Sequence, residues 1–301
     1  MKKTLISALL ITAAMGASAQ LVEINSMQKV SLPEGLYINV PTISPDGSFV
    51  LASDLAGDGL TQIPLDGSAV RVVTSNASGY DVRISDDSRN VVFRQSTTGA
   101  DHLRYTALKA VDLATGVETE LVKPTRHLNS GVSIKSGAVT AVENGRARAR
   151  AINGGTATLE PTVSISYGHL VYTDAQGNAT TLDPQGRGSY LWPQLSPDGT
   201  KVVYYLSGYG CYVCNTDGSN PAPLGLLRAA KWLGNDMLVG MNDVDNGEYT
   251  TSSAIIATDL NGTRQQLTTD ETIAMFPSVS ADGRRIAFST PEGELYIINL
   301  K

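Results

Sequence analysis

The chain has 301 residues and a formal net charge of −6, with 29 acidic residues against 23 lysines and arginines. An acidic chain without a clustered basic excess does not match the pattern of nucleic-acid-binding proteins, so no nucleic-acid partner is expected. The 29 glycines are typical of many short strands joined by tight turns. The length allows one large domain or two small ones.

Residues 1–19 have the pattern of a secretory signal peptide. Lys2 and Lys3 precede a short apolar run, and Ala17-Ser18-Ala19 matches an A-x-A cleavage site, which predicts a mature chain beginning near Gln20. The run is too short to span a bilayer, and no later stretch approaches roughly 18 uninterrupted apolar residues. We therefore expect residues 20–301 to form one domain without a transmembrane segment, periplasmic in a cell with two membranes and secreted otherwise.

One turn sequence recurs along the rest of the chain. Successive copies lie about 42 residues apart, or at twice that distance, which predicts one supersecondary unit copied several times. Proline, aspartate and glycine each favour a tight turn, so each copy is expected to join two strands. The copies are Ser44-Pro45-Asp46-Gly47, Ser196-Pro197-Asp198-Gly199, Ser280-Ala281-Asp282-Gly283 and a worn Ser85-Asp86-Asp87-Ser88.

The turns predict an all-β, six-bladed β-propeller of four-stranded antiparallel blades. A second turn containing Asp and Gly follows most copies of the first, and both kinds together indicate six units. We interpret the irregular region 126–187 as one unit with an inserted hairpin, although two short units there would make seven. The segment 29–32 is expected to pair with 295–300, which supplies the missing last strand and closes the ring.

Two cysteines, Cys211 and Cys214, form a C-x-x-C pair within a predicted strand. Residues three apart in a strand face opposite sides, and their Cα atoms lie about 10 Å apart. That distance exceeds the limit of about 7 Å for a disulfide. We therefore expect packing residues on the two sides of a blade rather than a redox or metal pair.

The repeat resembles the propeller of TolB-like periplasmic proteins, and the WD-like repeats of prolyl-oligopeptidase-type propellers are similar. The resemblance rests on the Ser-Pro-Asp-Gly turn, the Leu-Tyr-Ile strand and the Asp-x-x-Gly turn, and it covers about 36–301. It implies an exported six-bladed propeller that binds another protein in the cell envelope. The extra N-terminal domain of TolB-like proteins and the hydrolase domain of the oligopeptidases are not expected here.

The strand ahead of each first turn is expected to line the central channel and to supply the binding residues. Aromatic and basic residues recur there, as they do in binding hot spots. The alternative is that these side chains simply pack between blades. The candidate binding residues are Tyr37, Asn39, Tyr80, Arg83, Tyr190, Trp192, Arg228, Lys231 and Phe276.

Catalytic signals are sparse in this sequence. No G-x-S-x-G nucleophile elbow and no H-E-x-x-H motif occurs. His102, His127 and His169 lie in different segments, and a metal site built from them at the axis is the less favoured alternative. We therefore predict no catalytic residue, no metal and no cofactor.

The sequence predicts a non-enzymatic exported propeller that binds a protein or peptide partner in the cell envelope. The alternative is a propeller that binds or acts on a polysaccharide at the mouth of its channel. Enzymatic activity is thus the less favoured interpretation, and it stays open in that alternative.

Overall fold

The structure, a computed structural model, describes residues 20–135, 137–152 and 156–301, with the backbone alone over 77–80. The predicted signal peptide lies outside these residues. Within them the chain is built from antiparallel β-strands. No helix in these ranges is long and apolar enough to cross a membrane.

The strands form seven blades around a central axis. The all-β propeller of antiparallel blades is confirmed, with seven blades as in the alternative, and the count of six is wrong. Blades 1 and 2 share the long strand β5 and comprise β2 (Asn39–Ile43), β3 (Phe49–Ser53), β4 (Asp58–Pro64), β5 (Arg71–Ile84), β6 (Asn90–Thr98), β7 (Arg104–Asp112) and β8 (Glu118–Thr125).

The remaining blades follow in chain order. Blade 3 is β9 (Ser133–Lys135), β10 (Ala138–Glu143) and β11 (Arg146–Ala151), and blade 4 is β12 (Thr162–Ser166), β13 (His169–Thr173) and β14 (Ala179–Thr181). Blade 5 is β15 (Tyr190–Leu195), β16 (Lys201–Leu206), β17 (Gly210–Asn215) and β18 (Ala222–Gly225). Blade 6 is β19 (Arg228–Leu233), β20 (Met237–Asp245), β21 (Thr250–Asp259) and β22 (Arg264–Gln266), and blade 7 is β23 (Met275–Val279), β24 (Arg285–Ser289), β25 (Leu295–Leu300) and β1 (Ile24–Lys29).

The count of six failed in the region 126–187, where the structure has two short blades. Blades 3 and 4 have three strands each among the described residues, so the usual signal of a fourth strand is missing from both. The turn into the second strand of blade 4 is Tyr167-Gly168, which lacks the serine and aspartate of the repeat. The Asp174 turn therefore joins the second and third strands of blade 4, not the third and fourth.

The repeated turn owes its form to side-chain hydrogen bonds and one glycine. In blade 1 the Ser44 hydroxyl donates to Asp46 Oδ1 at 2.6 Å, and the same carboxylate oxygen accepts from the Ser48 amide at 3.0 Å. Gly47 has φ of 70°, which is the left-handed region that favours glycine. The Arg285 guanidinium of blade 7 donates to the Gly47 carbonyl at 2.5 Å, so the turns also link blades.

Strand β1 closes the ring by pairing with β25 at the outer edge of blade 7. The ladder runs antiparallel from Ile24 opposite Leu300 to Lys29 opposite Tyr296. Closure by an N-terminal strand is confirmed, but the strand lies earlier than the segment 29–32. Only Lys29 of that segment lies in the strand, and the Val30 amide adds one bond to the Leu295 carbonyl.

The hydrophobic core lies between neighbouring blades. Phe49 and Leu51 of blade 1 pack with Val91 and Phe93 of blade 2, and comparable clusters fill other blade interfaces.

The two cysteines belong to these inter-blade cores. Cys211 packs between blades 5 and 6 and Cys214 between blades 4 and 5, so they face opposite sides of blade 5, as predicted. Burial raises the pKa of both thiols to about 12, which makes them unreactive.

A chain that begins at Val30 lacks β1 and should be strongly destabilised. The loss exposes the edge of β25, which then offers unpaired backbone groups to other molecules. We expect a loss of several kcal/mol, a fall in Tm of roughly 10 °C for a chain of this length, with aggregation. Circular dichroism on heating and size-exclusion chromatography measure both effects.

The matched control is Met27→Ala, which trims an exposed side chain of β1 and keeps the ladder. Its free energy of unfolding should stay within about 0.5 kcal/mol of the wild type. A shortened chain as stable and monomeric as the control would contradict the role given to β1.

Candidate functional site

The innermost strands of the seven blades surround a central channel with a cavity of about 680 Å³. Each innermost strand runs from one face of the ring to the other. We call the face with the links between blades and the loops between second and third strands the loop face. The opposite face, with the Ser-Pro-Asp-Gly turns, is the turn face. Residues near both ends of the innermost strands line the cavity, so it spans the two faces.

A β-bulge near the start of the innermost strand recurs around the channel. In blade 1 two residues, Val40 and Pro41, lie opposite the single residue Ala52, because Asn39 pairs with Ser53 and Thr42 with Leu51. A bulge of this kind bends the strand and redirects its side chains. The same two-to-one count occurs at Trp192 with Pro193, Ala229 with Ala230, and Phe276 with Pro277.

The first residue of each bulge has a left-handed backbone. Its φ is 45° at Val40, 49° at Trp192, 50° at Ala229 and 53° at Phe276, and Asp81 of blade 2 has 58°. Such angles are outliers for β-branched and bulky residues. Strained residues of this kind cost of order 1–3 kcal/mol each and cluster at ligand sites. The strain is therefore concentrated at one end of the channel.

Comparing Ala229→Gly with Ala230→Gly tests this backbone strain. At the left-handed Ala229, removal of Cβ relieves about 1 kcal/mol of steric strain in the backbone. This gain offsets the entropic cost of glycine, which is about 0.5–1 kcal/mol. At the buried and extended Ala230 nothing offsets that cost, so we expect a loss of about 1–2 kcal/mol. Urea denaturation measures both, and equal losses at the two positions would contradict the assigned strain.

An ion cluster occupies the wall of the channel in blade 2. The Asp81 carboxylate contacts the Arg83 guanidinium through Oδ1 at 3.0 Å and the buried Arg94 guanidinium through Oδ2 at 3.0 Å. Arg83 also donates to the Val132 carbonyl of blade 3 at 3.0 Å. Both oxygens of the one carboxylate are thus engaged by arginines.

Lys231 of blade 6 contributes a further cation to the channel. Its side chain lines the cavity, surrounded by protein on the sides but open to water along the channel. The described residues give its ammonium group neither an ion pair nor a hydrogen bond. The pKa of Lys231 is lowered to about 8, mainly by burial and also by repulsion from Arg83, with Asp81 opposing the change.

Lys231→Met should stabilise the protein at pH 7. The folded state disfavours the ammonium, so the unfolded chain, with a lysine pKa of 10.5, binds more protons between pH 8 and 10.5. The unfolding free energy of the wild type therefore rises with pH across that window. The advantage of Lys231→Met in Tm should be largest below pH 8 and should shrink as the pH approaches 10.5.

The matched control is Lys123→Met, which replaces an exposed lysine of β8. Its Tm difference from the wild type should not follow pH in this way. A difference for Lys231→Met that is constant between pH 7 and 10.5 would contradict the burial of the ammonium.

Trp192 forms part of the channel mouth on the loop face. Its side chain is 43% exposed, and its ring lies 5.6 Å from that of Tyr205. The Arg228 guanidinium sits 5.8 Å from the ring centroid and donates to the buried Asp243 carboxylate at 2.7 Å. The ring is thus partly exposed at the mouth and contacts Arg228, whose position is held by a partly buried ion pair.

The candidate residues from the sequence separate into three groups. Four line the channel, namely Arg83, Trp192, Lys231 and Phe276. Three lie near the mouth without lining the channel: Tyr37 is exposed on the link into β2, Asn39 lines an adjoining hollow, and Arg228 stands behind Trp192. Tyr190 is 3% exposed and packs against Tyr204 between blades, and the Tyr80 side chain lies outside the described residues.

Thr42, Gln194 and Ser278 line the channel but were missed in the sequence, although a signal for their position was present. Val40-Pro41, Trp192-Pro193 and Phe276-Pro277 each stand four residues before the turn serine, in a common pattern x-Pro-x-x-Ser. Proline lacks the N–H that a ladder needs, so its recurrence inside predicted strands indicated bulges. The position of each bulge locates the residue that enters the channel two places later.

The loop face carries most of the large apolar side chains that remain exposed. Of the twelve among the described residues, eight lie there, while Val117 and Tyr167 are on the turn face and Met27 and Val72 on outer strands. The long hairpins β6–β7 and β20–β21 also project on this face. The eight are Tyr37, Leu55, Leu103, Trp192, Tyr209, Leu226, Val244 and Tyr249.

The three histidines do not come together in a metal centre. Within the described ranges no group of three or more His, Cys, Asp or Glu side chains could hold a metal ion. His169 instead pairs with the Asp183 carboxylate at 2.5 Å on blade 4.

The chain resembles solved structures at the level of the fold. A chain of a mitotic checkpoint complex matches 99% of this chain and 98% of its own at 9% identity, with a TM-score of 0.62. An oligogalacturonate lyase from Vibrio parahaemolyticus matches 90% of this chain and 80% of its own at 16% identity, with a TM-score of 0.48. An oligogalacturonate lyase in complex with manganese matches 89% of this chain and 78% of its own at 17% identity, with a TM-score of 0.46. At 9% identity the likeness to the checkpoint-complex chain shows a shared fold alone.

No protein-family model matches the sequence, and no curated protein sequence matches it. The resemblance to TolB-like proteins therefore stays a prediction.

Proposed function

We propose that this propeller is a non-enzymatic binding module that takes a protein or peptide partner on its loop face. The observation that carries the proposal is the one-sided distribution of exposed apolar side chains. Aromatic residues and arginine are enriched at the centres of protein interfaces, and grouped apolar surface marks interaction sites. Tyr209, Trp192 and Tyr249 of blades 5 and 6 are the proposed anchors.

The hairpins of blades 2 and 6 shape this surface. Their strands are nine or ten residues long, against five or six in most of the other second and third strands. They rise on either side of blades 7 and 1, and a hollow between blades 6, 7 and 1 lies beside the channel mouth. A partner seated there would contact rigid strands as well as loops, which lowers the entropic cost of binding.

We place the partner in the cell envelope. This part of the proposal rests on the signal-peptide pattern of residues 1–19 alone. In that compartment a protein or peptide partner would meet the propeller after export of both.

A second candidate function is binding of an anionic polysaccharide at the same mouth. The observation that favours it is the partly exposed Trp192 ring beside Arg228, with further cations inside the channel. An aromatic ring next to guanidinium groups suits a sugar ring that carries a carboxylate.

The double variant Tyr209→Ser with Tyr249→Ser should lose the partner. Each tyrosine is an exposed loop-face residue, and hot-spot aromatics contribute about 2 kcal/mol or more. We expect the amount of protein captured from an envelope extract to fall at least about tenfold, as quantified by mass spectrometry.

The matched control is Tyr167→Ser, an 80% exposed tyrosine on the turn face. It should capture the same protein as the wild type. Loss with Tyr167→Ser but not with the double variant would contradict the choice of face. Capture of no protein by the wild type, together with binding to an anionic glycan array, would support the second candidate instead.

A further inference from the structure

We propose that the channel binds carboxylate groups of an acidic peptide segment in the partner, held by Lys231 and Arg83. The inference rests on the proposed function, since the segment would enter from the partner seated on the loop face. It identifies the chemistry of that partner by the charges that the channel offers.

The charge balance of the channel is the first reason. Among the described residues that line the cavity, Asp81, Arg83 and Lys231 are the charged ones. Asp81 is engaged on both oxygens by Arg83 and by Arg94 behind it. Counting Arg94, the set holds three cations and one anion. A surplus of two positive charges therefore lies inside a protein whose net charge is −6.

The lack of a protein partner for Lys231 is the second reason. An ammonium group offers three N–H donors, and the described residues accept none of them. A charged group held inside protein walls without a partner is costly. Gln194 donates to the Ala230 carbonyl at 2.9 Å and the Ser278 hydroxyl accepts from the Ile43 amide at 3.0 Å, and neither side chain accepts a hydrogen bond from Lys231. An anion that enters the channel would satisfy Lys231.

The shape and lining of the channel favour a peptide over a sugar. A cavity of about 680 Å³ lies in the range of ligand pockets, large enough for several side chains. Beyond the charged groups its wall is mainly apolar, with Val40, Ile84, Val132 and Ile134 among the lining residues. Such a wall suits the methylene groups of glutamate, whereas a sugar would need partners for its many hydroxyl groups.

Tryptophan fluorescence offers a direct test. The chain has two tryptophans, Trp192 and Trp232, and both line the channel. Hexaglutamate peptide is titrated into the full mature protein at pH 7 and about 0.15 M salt, where long-range attraction is screened. We expect a saturable change in fluorescence with hexaglutamate and none with hexaglutamine or hexalysine.

Variants of Lys231 assign the binding to the channel. Lys231→Met should weaken the affinity for hexaglutamate at least tenfold, while Lys231→Arg keeps the charge and should stay within a few fold of the wild type. Lys123→Met, on an exposed strand, should have no effect. Wild-type binding should also weaken as the pH rises above about 8, where Lys231 loses its proton while Arg83 and Asp81 face it. Circular dichroism checks that each variant is folded.

The proposal is overturned if hexaglutamate gives no saturable change, or if folded Lys231→Met binds as tightly as the wild type. It is also overturned if a short oligouronate binds in the channel and hexaglutamate does not.

Failure of the proposed function is a separate result. If the loop-face double variant loses the captured protein and Lys231→Met retains it, the loop-face function stands and the channel proposal fails. If neither variant alters capture but hexaglutamate still binds through Lys231, the channel binds acidic peptide as proposed, but the loop-face function fails and the peptide does not come from a partner seated there.

Discussion

The pairing of β1 with β25 is the contact on which the rest of the molecule depends. Each blade buries its apolar side chains against its neighbours, so an open ring would leave two such surfaces in water. The chain ends add further bonds, since the Gln265 side chain accepts from the Leu21 and Val22 amides at 2.7 and 2.9 Å. Closure holds the innermost strands at a fixed distance from the axis, and only then does a channel with a defined lining exist.

Within that ring a single repeat position supplies many of the side chains that face the axis. It lies two residues after the left-handed residue in blades 1, 2, 5, 6 and 7. Most blades place a neutral residue there, and blades 2 and 6 place Arg83 and Lys231. A uniform scaffold position thus carries charge in two blades alone, which is how a repeated fold acquires a particular site.

The turns were predictable from sequence because their chemistry is local. Serine, aspartate and glycine form the same bonds in each copy, so the hairpins and the closed ring followed from them. Blades 3 and 4 were merged because they lack both a fourth strand and the full turn motif.

The site was only partly predictable, for a geometric reason. Alternation along a strand would place the Tyr190 and Trp192 side chains on the same side. The β-bulge between Leu191 and Gln194 interrupts this alternation. Tyr190 is therefore buried, whereas Trp192 reaches the mouth of the channel. Tyr209 and Tyr249 lie in loops that carry no repeat, which left no pattern to predict them from. The pairing of Asp81 with Arg94 depends on tertiary contact and has no signal in the spacing of the two residues.

The separation of apolar surface from enclosed charge bears on the order of events in the proposed binding. A protein with a net charge of −6 does not attract an acidic segment from a distance. Salt also screens the field of the channel cations beyond about 10 Å. The cations act at short range inside the channel, where the lower dielectric constant strengthens each pair. Apolar contact on the loop face would therefore come first and bring the acidic segment to the mouth. In this proposal the affinity for the whole partner comes from both contacts together, since an acidic chain without the apolar surface would gain the channel contacts alone and bind more weakly.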